Sequence, residues 1–397
     1  MLKQTPLHDL HRQLEARMVD FGGWEMPVQY TGIVQEHLAV RQSAGLFDIS
    51  HMGEVLVSGP GAAEFLNHTL TNDIRKLAIG QGQYTLLCQE HGGVVDDLYV
   101  YRIDTDEFLM IVNASRIEAD WDWLQIRVDH APTRDGFRLR NASSECGAVA
   151  VQGPAVAQFI DAAIEGGSMG CTLVPHASAL KKNEIGAFVF QGASVYVART
   201  GYTGEDGFEV VAPSAVIAPI WRALTEAGAP FGLKPAGLGA RDTLRTEMGY
   251  PLYGHELTEA TTPIEAGLAF FVALDKGDFV GRDVLLRQKA EGVSRRCVAF
   301  RMADKSPPPR PDYVVWSPDP AAAPIGKVVS GTQSPSLGVG IGMAYVGTAM
   351  AQPGTALAIE IRGRRFPAAI EKKPLYRRSA ARPQPAVSHA SRGTVTG

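Results

Sequence analysis

The stretch VVDDLYVYRIDTDEFLMIVN, residues 94–113, decides the fold. Leu98 to Ile103 and Phe108 to Val112 are rich in β-branched and aromatic residues, and Asp104-Thr105-Asp106 between them is turn-forming. This predicts an antiparallel hairpin whose paired residue numbers sum to about 210. Asp96 and Asp97 then fall opposite Asn113 and Ala114. Neighbours on a strand point to opposite faces. The two carboxylates therefore cannot face each other as a glycosidase-type acid/base dyad. The expectation is that one faces a pocket and the other faces solvent or a partner.

Helices and strands alternate irregularly around this hairpin. Upstream, Thr5 as N-cap, Pro6 and the stripe Leu7, Leu10, Leu14 predict a first helix. A second helix is expected over 32–43, a strand at GEVLVSG (53–59) and a short helix over 62–70. Downstream, Ser115 caps a helix with Trp121 and Leu124 on its inner face. VYVART (195–200) and FEVVAP (208–213) read as strands flanking GYTGEDG (201–207), followed by helices over 214–227 and 236–248. After about residue 275, helical periodicity gives way to short β-like segments: RCVAFRM, IGKVVSG, GIGMAYV, ALAIEI and RFPAAI. From Arg377 the chain is rich in Ser, Pro, Ala and Arg, and 377–397 reads as a disordered tail. The fold class is α+β.

Composition narrows the function. The 397 residues fit two to three domains at roughly 150 residues each. Apolar residues at 45% and charged residues at 20% exclude wholesale disorder and a coiled coil. Lys plus Arg is 38 against 42 for Asp plus Glu, so the basic excess of a nucleic-acid binder is missing. Four scattered cysteines without CxxC spacing read as reduced thiols of a cytoplasmic protein. The N-terminus has no apolar signal core, and no run reaches the ~18 apolar residues of a membrane span.

Most short motifs are negative. GPGAAE (59–64) follows a strand and precedes a helix, as a dinucleotide fingerprint does, but Glu64 replaces the third glycine. A carboxylate there opposes pyrophosphate binding, which leaves a tight strand-to-helix turn. No GxxxxGK[ST], GxSxG or HExxH occurs, so P-loop, α/β-hydrolase and metal chemistry are not expected. GYTGEDG is more informative. Its glycines fit a hairpin loop, yet Glu205 at the tip could grip an amidine-like edge of the kind pterins and guanines carry. Arg241 and Arg245 lie four apart on one helix face. They are either surface ion-pair partners, or one of them holds a ligand carboxylate in a fork.

The long motifs ARMVDFGGWEMPVQY, HLAVRQSAGLFDISHMGEV, GGVVDDLYVYR, RTGYTGEDGFEV, GLGARDTLRTEMGYPLYGHEL, TPIEAGL and GKVVSGTQSPSLGVGIGMAYV occur in that order. Together they resemble the T-protein family of the glycine cleavage system, the aminomethyltransferases, over about residues 4 to 376. The resemblance implies a three-domain folate-binding fold, α+β with a C-terminal β-rich domain. Residues 1–275 would form the catalytic region from two interleaved subdomains, roughly 1–50 with 140–245 and 51–139 with 246–275. Residues 276–376 would form a barrel-like domain. The implied reaction takes the aminomethyl group from the lipoyl arm of H-protein, releases ammonia and passes the carbon to tetrahydrofolate as 5,10-methylenetetrahydrofolate.

Matched position by position, the resemblance makes Asp96 the catalytic carboxylate, Glu205 the pterin grip and Arg241 a folate ligand. Tyr84, Asn113 and Tyr250 resemble further folate-pocket positions. Tetrahydrofolate is then the co-substrate, with no metal, and lipoylated H-protein the partner of a monomeric enzyme. Nucleic acid and membrane are not expected partners. The alternative is a tetrahydrofolate-dependent demethylase on the same fold.

Overall fold

The computed structural model describes residues 2–129, 136–319 and 323–378. Two sheets meet face to face, and a small barrel closes one end.

The larger sheet has seven strands in the order Gly170–Cys171, Ile185–Phe190, Ala193–Ala198, Gly207–Pro213, Cys146–Gln152, Ala44–Asp48 and Leu233–Pro235. Only the last pair is parallel. The strand Cys146–Gln152 is buried along almost its whole length, which is why it reads as an apolar run without alternation. Helix Ser214–Gly228 lays Ile217, Ile220, Trp221 and Leu224 against one face, the i, i+3, i+4, i+7 stripe of an amphipathic helix. On the other face Val40, Ala240 and Leu244 bring helices Ile33–Gln42 and Leu238–Met248 onto Phe47, Ala148 and Ala150.

The second sheet is antiparallel, in the order Gly82–Cys88, Val94–Asp104, Glu107–Val112, Gly53–Ser58, Arg138–Asn141. The hairpin has the expected register, with Tyr99 opposite Ile111 and Arg102 opposite Phe108. Helices Ala62–Thr69 and Ile117–Asp129 cover one face through Phe65, Leu66, Trp123 and Leu124. The other face meets the larger sheet, where Tyr101 and Leu109 pack on Ile185 and Ala198.

A closed six-stranded barrel follows, running from Arg295–Met302 to Arg364–Glu371. Closure removes the exposed edges that six short strands would otherwise present. Its strand Val314–Trp316 was not among the expected segments, being too short to show alternation. Helix Arg282–Glu291 buries Leu285 against Leu86, Cys88 and Val94 of the second sheet, so the barrel begins only at Arg295. The first helix is also shorter than expected, His8–Gln13 with Leu7 at its N-cap. The Thr5 hydroxyl accepts the Leu7 N–H at 3.3 Å and donates to buried Asp48 at 2.7 Å.

The tail beyond Arg378 lies outside the described residues, and Arg377 and Arg378 lie inside them. Among the described residues no helix is long and apolar enough to cross a membrane.

Candidate active site

The two aspartates separate as strand geometry requires, but neither goes to solvent. Asp96 points to the helix-covered face and is 0% exposed. Asn113, just past the end of the partner strand, clamps it twice: the backbone N–H donates to Oδ2 at 3.0 Å and Nδ2 to Oδ1 at 2.9 Å. Asp97 points to the opposite face, toward the larger sheet, and is only partly buried. Asn113 Nδ2 also reaches Asp97 Oδ1 at 3.0 Å, and the Tyr84 hydroxyl donates to Asp97 Oδ2 at 2.9 Å. Tyr84 lies opposite Tyr99 and Asp97 opposite Leu86, so Tyr84 and Asp97 are diagonal neighbours on one face.

Burial, reinforced by the neighbouring Asp96 charge, pushes the Asp97 carboxyl up to about 7, while its bonds to Tyr84 and Asn113 pull the other way. Burial likewise raises Asp96, against the hydrogen bonds that it accepts. Tyr84 is driven well above the ordinary phenol range by burial and by the Asp97 charge.

Glu205 sits where the GYTGEDG loop returns to strand Gly207–Pro213, with its side chain 5% exposed. Gly204 has φ +82°, and a Cβ there would come within 2.4 Å of Met248 Sδ, so the tip requires glycine. Thr203 Oγ1 accepts the Glu205 N–H at 3.2 Å and donates to Gln152 Oε1 at 2.9 Å. Glu205 Oε1 accepts from Arg41 Nη1 at 2.9 Å, and Oε2 lies 3.5 Å from Arg378 Nη1.

Arg41 is held in turn. Its Nη2 and Nε donate to Glu247 Oε2 at 2.8 and 3.1 Å. Glu247 also accepts from the Ser334 and Ser336 hydroxyls, which come from a barrel loop. Burial would raise the Glu247 carboxyl, but the His37 and Ser334 hydrogen bonds and the Arg41 charge hold it down at about 2. The chain end lies alongside: the Leu375 and Tyr376 N–H groups donate to the Glu247 carbonyl, and the Tyr376 ring stacks 4.3 Å from the Arg41 guanidinium.

Aromatic rings join the two carboxylate regions. Tyr202 and Tyr250 stack with centroids 5.7 Å apart, and the Arg241 guanidinium lies 4.7 Å from the Tyr202 ring centroid. The Tyr202 hydroxyl donates to the Pro251 carbonyl and lies close enough to Asp97 for that charge to act on it. Among the described residues no carboxylate stands within ion-pair distance of Arg241, although burial penalises its charge. Arg245 is different. It is 2% exposed and its guanidinium meets Asp242 Oδ1 at 2.7 Å, Glu256 Oε2 at 3.1 Å and Ser330 Oγ at 2.8 Å. Of the two expectations for this pair, Arg245 is an ion-pair partner in the interior rather than on the surface, and Arg241 is the cation left free.

The six residues picked from the sequence therefore lie in one neighbourhood. Tyr202, Arg41 and Glu247 join them without having been picked from the sequence. Arg41 lay inside a quoted motif, and its signal was a lone arginine beside Val40 and Ala39 on an otherwise helix-packing segment.

Residues 7–276 match the GCVT N-terminal domain, and residues 295–377 match the glycine cleavage T-protein C-terminal barrel domain. The chain is 44% identical over 378 residues to an aminomethyltransferase of Prosthecochloris aestuarii, covering 95% of this chain and 100% of that one. It is 45% identical over 381 residues to an aminomethyltransferase of Bacillus pumilus, covering 96% and 100%. The solved glycine cleavage system aminomethyltransferase T from Bartonella henselae superposes with a TM-score of 0.85 at 33% identity, covering 95% of this chain and 98% of that chain. The chain belongs to the glycine cleavage T-protein family. Its activity is that of an aminomethyltransferase of the glycine cleavage system.

Proposed function

We propose that tetrahydrofolate binds between the two sheets, with Glu205 on the pterin, Tyr202 and Tyr250 beside it, Arg241 on a tail carboxylate and Asp97 at the carbon being transferred. The fit rests on chemistry already present. Arg241 is a desolvated guanidinium with no carboxylate partner among the described residues, which a ligand carboxylate would satisfy in fork geometry. Glu205 is fixed by Arg41, and among the described residues its second oxygen meets Arg378, whose side chain is 55% exposed. When bound, tetrahydrofolate supplies the amine that accepts the carbon.

The observation that carries the catalytic assignment is the cleft-facing carboxylate of Asp97, held by Tyr84 and Asn113. The resemblance pointed to Asp96, one residue earlier. Asp96 is fully buried on the far face behind Asn113, so the geometry moves the proposed role to Asp97 and leaves Asp96 as its support. An anionic Asp97 stabilises positive charge on the carbon as ammonia leaves, and a carboxyl near neutrality can exchange a proton with the accepting amine.

Lipoylated H-protein is the proposed donor, met transiently by a monomer. Phe271 packs edge-on against Tyr84 at 4.6 Å while its neighbour Phe270 is 91% exposed, so this corner of the site reaches the surface. The unpaired cysteines suit the cytoplasm.

The test is ammonia release from aminomethyl-loaded H-protein, with and without tetrahydrofolate. Asp97→Asn should keep folate binding and lose turnover by ~10²–10⁴-fold. Near-normal turnover in that variant, with a large loss in Asp96→Asn, would return the role to Asp96.

A further inference from the structure

Behind the proposed reacting carboxylate lies an acid that no motif accounts for. Asp120 stands in the first turn of helix Ile117–Asp129 and is 0% exposed. Neither of its oxygens has a conventional hydrogen-bond donor among the described residues. Its neighbour across the gap is the Asp96 carboxylate, in side-chain hydrogen-bond contact. Two carboxyls in contact in a dry interior cannot both be ionised, so they share one proton.

The neighbours decide where that proton resides. Asp96 already accepts two N–H bonds from Asn113, which favour its anion. Asp120 accepts none. A proton on Asp120, donated to Asp96, also removes the orphaned buried oxygen that would otherwise cost free energy. The remaining groups facing the pair are Arg116, whose guanidinium donates to Val95 O at 2.9 Å and Glu259 Oε1 at 2.8 Å, Tyr253 stacked on Arg116, and Asp97. Arg116 is thus engaged elsewhere and offsets the charge of the pair only in part. Burial and the Asp96 charge accordingly hold the Asp120 carboxyl far above the ordinary carboxylate range.

We propose that Asp120 is a proton-holding positioning residue: its protonated carboxyl donates to Asp96, keeps Asp96 ionised, and through the shared Asn113 amide fixes Asp97 in the cleft. The chain of contacts runs Asp120, Asp96, Asn113, Asp97, Tyr84. It gives the buried member of the Asp-Asp pair a function: an ionised Asp96 is the charge that lifts the Asp97 carboxyl toward neutrality. This inference rests on the reading of Asp97 as the reacting group.

The experiment compares Asp120→Asn, which keeps a donor, with Asp120→Leu, which does not, in the full-length enzyme. In ammonia release, Asp120→Leu should lower kcat by ~10–100-fold, the worth of a hydrogen bond to a charged group, with the tetrahydrofolate KM unchanged. Without the donor Asp96 takes up a proton itself, Asp97 no longer faces an anion, and the acid limb of the pH–kcat profile moves to lower pH. Asp120→Asn should recover both kcat and the limb. Equal kcat and equal pH profiles in the two variants would overturn the proposal, as would a change confined to thermal stability.

Infrared spectroscopy gives a second reading should the leucine variant fail to fold. The wild-type minus Asp120→Asn difference spectrum at neutral pH should show one protonated-carboxyl band, and its absence from that difference overturns the proposal. An active Asp97→Asn enzyme that keeps this band would instead defeat the Asp97 assignment and leave the shared proton standing.

Discussion

The Tyr84 hydroxyl donates to Asp97 Oδ2 at 2.9 Å. The same carboxylate takes a second bond, from Asn113 Nδ2, on its other oxygen at 3.0 Å. Both bonds favour the anion, while burial and the Asp96 charge oppose it and bring the group to about 7. A proton-transfer group works best when its two forms are both accessible at the working pH.

The pH dependence of turnover follows. If Asp97 acts as the anion, kcat rises with pH, with a midpoint near 7 set by the Asp97 carboxyl. Tyr84→Phe removes a bond to the charged form, so the midpoint moves to higher pH and kcat at neutral pH falls. A pH–rate series on both proteins tests this, and a midpoint that stays put or moves down in Tyr84→Phe contradicts the role given to the hydroxyl.

Arg41 is expected to act on folate affinity without touching the reacting carbon. It fixes Glu205 Oε1 at 2.9 Å and is itself fixed by Glu247 at 2.8 Å. Arg41→Lys keeps the charge but cannot span both carboxylates with a rigid fork. The tetrahydrofolate KM should rise by about 10-fold, while kcat at saturation stays within a few-fold, since an imperfectly held binding group costs on the order of 1–2 kcal/mol. Isothermal titration with tetrahydrofolate checks the direction. An unchanged affinity would mean that Glu205 keeps its pose without Arg41.

Arg241 offers a contrast between binding and stability. Its guanidinium is desolvated and lies over Tyr202 with no carboxylate partner among the described residues. Removing an uncompensated charge relieves a penalty. Arg241→Gln should therefore melt no lower than the wild type, yet bind tetrahydrofolate ~10–100-fold more weakly. A variant that loses several degrees of thermal stability and keeps its affinity would make Arg241 a structural residue.

Much of this site was legible in the chain because strand geometry is stiff. The register of the 94–113 hairpin, with paired numbers summing to 210, puts Asn113 across from Asp97 and diagonal to Asp96, and its backbone N–H bonds the Asp96 side chain there at 3.0 Å. Alternation also separated Asp96 from Asp97. What alternation could not supply was which face carries the cleft, because that depends on the helices and the second sheet packed on either side. The resemblance chose Asp96, and packing favours Asp97. Arg41, Glu247 and Ser336 were illegible for a related reason: they meet across separations of 206 and 89 residues, through a barrel loop with no local signature. Asp120 was hidden among the ordinary acids of a helical first turn, where a carboxylate usually serves the helix dipole at the surface.

Arg245 shows how the barrel is held to the site. The motif placed it beside Arg241 as a possible ligand contact, but its side chain is 2% exposed and joins Asp242, Glu256 and Ser330. Ser330 belongs to the barrel strand Pro324–Gln333, and Arg245 also donates to the Tyr250 carbonyl at 3.3 Å, so one guanidinium ties barrel, helix and pocket wall together. Glu256 is buried with Oε1 unpartnered among the described residues, so it depends on Arg245 for compensation. Arg245→Met should cost about 3–5 kcal/mol, the usual loss when one member of a buried pair is removed. Asp242, whose side chain is 44% exposed, should tolerate replacement by Asn with less than about 1 kcal/mol lost. Urea denaturation of the two variants beside the wild type measures both. A loss no larger for Arg245→Met than for Asp242→Asn would show that the barrel is held by its apolar contacts and not by this arginine.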